Sequence, residues 1–291
     1  MRYEPPLFRP PSEANSLILQ VTVGCSHNAC AFCGMYKGKR FRRRSLTEII
    51  ADTREVACFY PEVQRIFLAD GNALTMDTPE LLKLLQHLFR TFPKLERVSC
   101  YAGPLDLLGK EPEELQELRK AGLTLLYVGV ESGSDLVLER MHKGVNAAEM
   151  VRACRRALDA GFELSVTVIT GLGGRELSRE HARATASAIN AINPTYLAAL
   201  TLIVVPNTPL YRQVMDGKFS LLNPEETLQE LKWLLEDLEV DNCIFRCNHA
   251  SNYLPLRGTL KRDREKLIGI LEEALRNPGR IPLRPDYARG L

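Results

Sequence analysis

Along the chain, apolar positions switch between two periods. Short runs that are continuous or alternate every second residue, rich in β-branched side chains, occupy residues 17–23, 65–69, 97–101, 123–130, 163–170 and 196–204, and each reads as a strand. Between them apolar residues recur every three to four positions over 46–59, 78–92, 111–121, 147–160 and 178–192, the spacing of an amphipathic helix. The helix ends carry their own chemistry. Asp77-Thr78-Pro79-Glu80 sets a polar cap ahead of a proline, Asn146 precedes an apolar-periodic run, and the glycines of Ala121-Gly122 and Ala160-Gly161 stop helices just before the next strand. Six strands, all but the last followed by a helix, make consecutive βα units with right-handed crossovers, and therefore a parallel sheet. The expected fold class is α/β, a partial (β/α)6 barrel of the TIM type, two units short of closure.

The barrel is expected within residues 1–215, its core in 15–215, and the remainder, 216–291, reads as a helical extension. Helices are expected over 223–238, opened by Asn223-Pro224-Glu225, and over 263–275. Between them, residues 244–259 are dense in hydrogen-bonding side chains and are expected to cover the barrel opening, with His249, Asn252 and Arg257 as polar contacts to a substrate. Cys243 and Cys247 stand as C-x3-C without a third ligand and read as buried thiols; Cys58, Cys100 and Cys154 read as small core residues. His87, His142 and His181 show no partner pattern and read as surface histidines.

Composition changes this picture little. With 45% hydrophobic and 25% charged residues the chain has the balance of a globular protein. No apolar run approaches the roughly 20 residues that cross a bilayer, and the opening MRYEPPLFRPPSEANS lacks the apolar core of a signal peptide. A cytoplasmic, reducing location is the expectation, without membrane partners. Net charge is +2, from 38 basic and 36 acidic residues, so no overall field draws the chain to nucleic acid. The local exception is Lys37-Gly38-Lys39-Arg40-Phe41-Arg42-Arg43-Arg44. It reads as a positive lip for an anionic substrate or an acidic electron donor, with RNA phosphates as the rival occupant.

Directly after the first strand, Cys25, Cys30 and Cys33 stand as C-x4-C-x2-C, with Phe32 ahead of the last and Gly34-Met35-Tyr36 behind it. Closely spaced thiolates on a loop wrap a soft metal centre. Zinc, with His27 as fourth ligand, and an iron–sulfur cluster with one iron left open are both consistent with the spacing. Other strand ends are also unusual. Ala69-Asp70-Gly71-Asn72-Ala73 follows the second strand, where Gly71 allows close backbone approach and Asp70 can accept from an ammonium group. Gly129-Val130-Glu131-Ser132-Gly133-Ser134 follows the fourth, and a strand-end carboxylate suits ribose hydroxyls. Gly171-Leu172-Gly173-Gly174 follows the fifth and Val205-Pro206-Asn207-Thr208-Pro209-Leu210-Tyr211 the sixth. Each alone is a strand-to-helix turn; at successive strand ends of one barrel they predict one site.

Taken in order, these motifs resemble the radical S-adenosylmethionine superfamily over roughly residues 15–215, in the branch containing the methylthiotransferases, the elongator-type acetyltransferases and oxygen-independent coproporphyrinogen oxidase. The resemblance implies that Cys25, Cys30 and Cys33 hold a 4Fe–4S cluster whose open iron chelates the amino and carboxylate groups of S-adenosylmethionine. It implies that Asp70, Gly71 and Asn72 lie at the methionine amino group and that Glu131 and Ser132 lie at the ribose or the carboxylate. Gly171 and Leu172 would lie beside the adenine, and Pro206 in the last cofactor loop. The sequence departs from the family in two places: the first cysteine gap is one residue longer than the common C-x3-C-x2-C, and Asp-Gly-Asn stands where Gly-Gly-Glu is usual. The implied chemistry is one-electron cleavage of the cofactor, fed by a flavodoxin or ferredoxin, then hydrogen abstraction by a deoxyadenosyl radical. The expected substrate is a small molecule. An RNA-modifying enzyme of the same superfamily and a non-catalytic zinc or iron–sulfur protein are the alternatives.

Overall fold

The computed structural model describes residues 1–290. Eight strands, β1 (Leu17–Gln20), β2 (Arg65–Ala69), β3 (Arg97–Tyr101), β4 (Leu123–Glu131), β5 (Glu163–Thr170), β6 (Tyr196–Thr201), β7 (Ile244–Cys247) and β8 (Leu256–Thr259), succeed one another in one sheet. The fold is α/β with a mostly parallel central sheet, the architecture of a partial TIM-like barrel. The chain divides into two compact units.

The first unit comprises residues 1–28, 35–128 and 153–164. In it β1 to β4 pair in parallel, with a register shift between Val98 and Ser99. Helices α1 (Leu46–Phe59), α2 (Thr78–Thr91), α3 (Pro104–Gly109) and α4 (Pro112–Lys120) lie in the connections. Ser45 opens α1 by accepting from the Glu48 amide while the Glu48 carboxylate accepts from the Ser45 amide, so two donors of the first turn are satisfied reciprocally. Leu81, Leu84, Leu85 and Leu88 line one stripe of α2 and are fully buried, as helical spacing requires. Inside the unit Phe67, Tyr101 and Tyr127 meet edge to face, with ring centroids 5.0 to 6.1 Å apart.

The second unit comprises residues 29–34, 129–152 and 165–290 of the described chain. Here β5, β6 and β7 run parallel and β8 returns antiparallel along β7. Helix α5 (Asp135–Arg140), the first half of α6 (Ala147–Asp159), α7 (Gly174–Ile192), α8 (Pro209–Met215), α9 (Pro224–Glu236) and α10 (Arg264–Arg276) belong to it. Strand β5 alternates buried and half-exposed positions. Asn223 and Glu226 cap α9 reciprocally, at the place the Asn-Pro-Glu signal marks.

Three features depart from the sequence reading. Residues 216–291 contain α9 and α10 and also β7 and β8, so the extension adds to the sheet. Four-residue strands are too short for alternation to show. The sixth strand stops at Thr201, short of 204, because the chain turns away before Pro206. Helices α3, α5 and α8, of six or seven residues, span too few turns for a periodic stripe.

Candidate functional site

In the first unit the residues around Cys25 are held one by one by the turn after β2. The Gly24 amide donates to Asp70 Oδ2 at 3.1 Å, and the Gly71 amide donates to the Gly24 carbonyl at 3.1 Å. The Ser26 amide donates to Asn72 Oδ1 at 3.1 Å, and Asn72 Nδ2 reaches Ser26 Oγ and Asp106 Oδ2, the latter at 2.8 Å. Gly71 itself lies against Cys25: a Cβ there would stand 2.8 Å from Cys25 Cβ. Gly24 sits at φ +75°, the left-handed region that glycine enters without strain. The turn is a cradle with no room for a larger residue.

Asp70 is fully buried, and its Oδ2 also accepts from Gln20 Nε2 at 3.0 Å and from Lys39 Nζ at 2.8 Å. One carboxylate oxygen therefore grips the chain just before Cys25 and again at Lys39, after Cys33. Lys39, itself nearly buried, also donates to the Glu4 and Pro6 carbonyls. Asp70 Oδ1 is buried without a hydrogen-bond partner. An orphaned carboxylate oxygen in that position is a ready acceptor for an ammonium group.

In the second unit Ala31, fully buried between Cys30 and Cys33, pins the thiol loop from both sides. Its amide donates to the Met141 carbonyl and its carbonyl accepts from the Leu210 amide, each at 2.9 Å. Ala31 joins Val137, Met141, Leu172, Leu202 and Leu210 in an apolar cluster on which Phe32 packs. Gly34 is needed because a Cβ there would meet Val205 Cγ1 at 2.5 Å. At the end of β4, Glu131 adopts φ +66° and folds back over its own strand. A Cβ on Gly129, two residues earlier and so on the same face, would lie 2.0 Å from Glu131 Oε1.

Glu131 Oε1 meets Lys143 Nζ at 3.2 Å, both side chains being mostly buried. Burial alone would lower the Lys143 ammonium, but Glu131, together with Cys30 and Cys33, outweighs it and holds the group above the ordinary lysine range. The loop thus offers half-exposed thiols beside a buried cation. Soft sulfur donors with a cation at hand fit a soft, anionic metal–sulfide centre. All eight cysteines are thiols, not disulfides. Among the described residues, no group of three or more His, Cys, Asp or Glu side chains forms a site for a single metal ion.

The other residues singled out in the sequence are placed as follows. Ser132 is fully buried, and its hydroxyl bonds His181 Nδ1 at 2.8 Å. His181, read as a surface residue, is 2% exposed; its pattern was invisible because its partners lie 49 residues upstream and on α9. Leu172 belongs to the core, Gly171 gives its amide to Glu230 Oε1 at 2.6 Å, and Pro206 is exposed. Asn252 is a structural tie: its amide bonds the Ala199 carbonyl and Thr201 Oγ1, at 2.9 and 3.0 Å, and is 1% exposed. His249 is half-buried against Ser251, and Arg257 is exposed on β8. Cys58 is exposed, against expectation, whereas Cys100, Cys154, Cys243 and Cys247 are buried as expected. Burial pushes the Cys243 and Cys247 thiols up to about 12, so they stay protonated.

The positive lip is mostly neutralised within the protein. Lys39 pairs with Asp70, Arg42 with Glu4, Arg43 with Asp77, and Arg44 with Asp52, the last pair almost fully buried at 2.8 Å. Lys37 caps the Asn28 carbonyl. Pairing could not be read from the run because each partner lies 8 to 38 residues away along the chain. No helix among the described residues is long and apolar enough to cross a membrane.

A parallel-sheet α/β protein whose unusual groups stand at successive strand ends, led by a thiol loop after β1, belongs to the barrel enzymes' structural class. The chain is a member of the Radical SAM superfamily, whose family model matches residues 19–189. It is 27% identical to the heme chaperone HemW of Bacillus subtilis (strain 168) over 184 residues, 62% of this chain and 47% of that protein. It is 24% identical to the threonylcarbamoyladenosine tRNA methylthiotransferase MtaB of Rickettsia prowazekii (strain Madrid E), over 53% of this chain and 38% of that one. The chain spans less than half the length of either relative. Its fold is like that of coproporphyrinogen III oxidase (HemN) from Escherichia coli, a radical SAM enzyme, with a TM-score of 0.57 at 19% identity, covering 76% of this chain and 51% of that one. The cofactors of the superfamily are a 4Fe–4S cluster and S-adenosylmethionine.

Proposed function

We propose that this protein is a radical S-adenosylmethionine enzyme that holds its cluster through Cys25, Cys30 and Cys33 and removes a hydrogen atom from a small-molecule substrate. The observation that carries the reading is the cradle around Cys25, in which Asp70 and Gly71 bond Gly24, Gly71 packs against Cys25 and Asn72 bonds Ser26. When bound, the cluster and cofactor supply a one-electron cleavage of the sulfonium. The chain's own residues position the reactants. Asp70 Oδ1, without a partner inside the protein, is the acceptor left for the methionine ammonium, while Oδ2 keeps the loop in place. Glu131, turned back over Gly129, offers a carboxylate for ribose hydroxyls, with Lys143 Nζ 3.2 Å from its Oε1 to hold it in place. A flavodoxin or ferredoxin is the class of electron donor this chemistry calls for. A small substrate, in preference to RNA, is supported by the internal pairing of the basic run.

The test is anaerobic. The protein is reconstituted with iron and sulfide, reduced with dithionite, and supplied with S-adenosylmethionine while deoxyadenosine and the electron spin resonance spectrum are followed. Deoxyadenosine formed by the parent chain and lost in Cys30→Ala, with the circular dichroism unchanged, is the expected result. Production retained in Cys30→Ala would sink the ligand assignment.

A further inference from the structure

Deep in the second unit lies a set of polar side chains that the proposed reaction does not use directly. His181 on α7 connects two strand-end loops. Its Nε2 approaches the Ile169 carbonyl at 3.0 Å and its Nδ1 approaches Ser132 Oγ at 2.8 Å. A carbonyl can only accept, so Nε2 carries a proton toward Ile169, while Nδ1 shares a hydrogen with the Ser132 hydroxyl. Ser132 Oγ in turn accepts from the Ser134 amide at 3.0 Å. The next residue, Gly133, gives its amide to Thr185 Oγ1 at 3.0 Å, and its missing side chain lets the turn rest on α7: a Cβ would fall 2.1 Å from the Ala184 carbonyl oxygen.

The second loop is held from α9. Glu230, 1% exposed, accepts from the Gly171 amide at 2.6 Å and from Ser178 Oγ at 2.5 Å, and its Oε1 lies 3.7 Å from His181 Nε2. A cavity of about 10 Å³ beside His181 and Glu230 has room for at most one water, so no ligand enters here. The set is closed to substrate, yet its outer ends are the residue after Glu131 and the first residue of the Gly171-Leu172 loop. Glu230 lies 41 residues beyond the stretch the family model matches.

We propose that Ser132, His181 and Glu230 form one positioning network that fixes the Glu131 turn and the Gly171 loop relative to each other, and through them sets the affinity for the nucleoside half of S-adenosylmethionine. The inference rests on the functional reading given above. Within it, Ser132 is a positioning residue and not a ligand, and a residue of the C-terminal extension takes part in building the cofactor site. Ser132 and Glu230 are joined through His181, so they act on the cofactor as one device.

The experiment is a double-substitution cycle on the reconstituted, cluster-loaded protein. Affinity for S-adenosylmethionine is read by equilibrium dialysis, and iron content and melting temperature are read alongside. Ser132→Ala and Glu230→Gln are each expected to weaken binding about tenfold, the scale of one lost buried hydrogen bond, with iron content unchanged. The double variant is expected to fall well short of the product of the two losses, as coupled sites do. Should Ser132→Ala fail to fold, His181→Asn, which keeps an acceptor toward Ser132 and loses the reach to Ile169, is read in the same way. Affinities within twofold of the parent, or losses that simply multiply, overturn the network even if melting temperatures drop. A parent chain that loads a cluster but binds no S-adenosylmethionine overturns the functional reading instead, and the network's role falls with it.

Discussion

Gly71 has no space for a side chain, and that makes it a sharper probe of the thiol loop than any cysteine. A methyl group at this position would stand 2.8 Å from Cys25 Cβ and 2.9 Å from both Cys25 Cα and the Gly24 carbonyl oxygen. Two of these three neighbours are backbone atoms, so relief requires the main chain at Cys25 to move. Overpacking of this kind costs about 1–3 kcal/mol. Gly71→Ala is expected to lower the iron retained after reconstitution and to leave the circular dichroism of the folded chain intact; full iron content in a well-folded variant would show that the cradle does not set the Cys25 position. Asp70 is the second residue whose role sequence and structure weigh differently. As a residue type it suggested an ammonium acceptor, yet one of its oxygens is already engaged by Gly24, Gln20 and Lys39. Which of a carboxylate's two oxygens is occupied is a tertiary fact, and no spacing along the chain encodes it.

At the scale of elements, the sequence was most legible where a single helix or strand carried its own signals. The Pro79 start and the Gly122 and Gly161 stops fix α2, α4 and α6 to within a residue or two, because capping is local chemistry. Strands β2, β3 and β5 fall on the expected residues for the same reason. What stayed hidden was anything decided by a partner far away: the strand identity of β7 and β8, and the burial of His181. Helix α9 shows the consequence. It was expected as an amphipathic helix of an extension, but Glu230 on its buried face reaches Gly171 and Ser178. Burial holds the Glu230 carboxyl above the ordinary glutamate value of 4.5, against the opposing pull of His181, Ser178 and the Gly171 amide. A raised folded value means that the folded chain binds this proton more tightly than the unfolded chain. The associated stability is present below pH 4.5 and is lost as the pH rises from there through the folded value. Glu230→Gln removes the titration, so its melting temperature is expected to fall less than that of the parent across that window. Parallel pH profiles for the two proteins would rule out this account of Glu230.

For the whole molecule, charge is the property by which the sequence misleads most. Six cations between Lys37 and Arg44 suggest a surface that could hold nucleic acid, and one of the relatives is a tRNA methylthiotransferase. The net charge of +2 argues the other way, and the first unit shows how the two are reconciled: Lys39, Arg42, Arg43 and Arg44 each face a carboxylate of the same unit. A cation already paired releases few counterions when a phosphate approaches, because the phosphate must displace the carboxylate first. A protein that binds RNA through six to ten phosphates loses about 10³- to 10⁵-fold in affinity between 50 and 200 mM salt. This chain is expected to bind bulk tRNA weakly, with a salt slope corresponding to no more than about two phosphates, and Arg42→Ala with Arg43→Ala is expected to leave that binding unchanged. Fluorescence anisotropy with labelled tRNA across that salt range checks both statements. A steep slope that flattens in the double variant would mean that RNA outcompetes Glu4 and Asp77 for these arginines, and would replace the proposed small-molecule substrate with a nucleic acid.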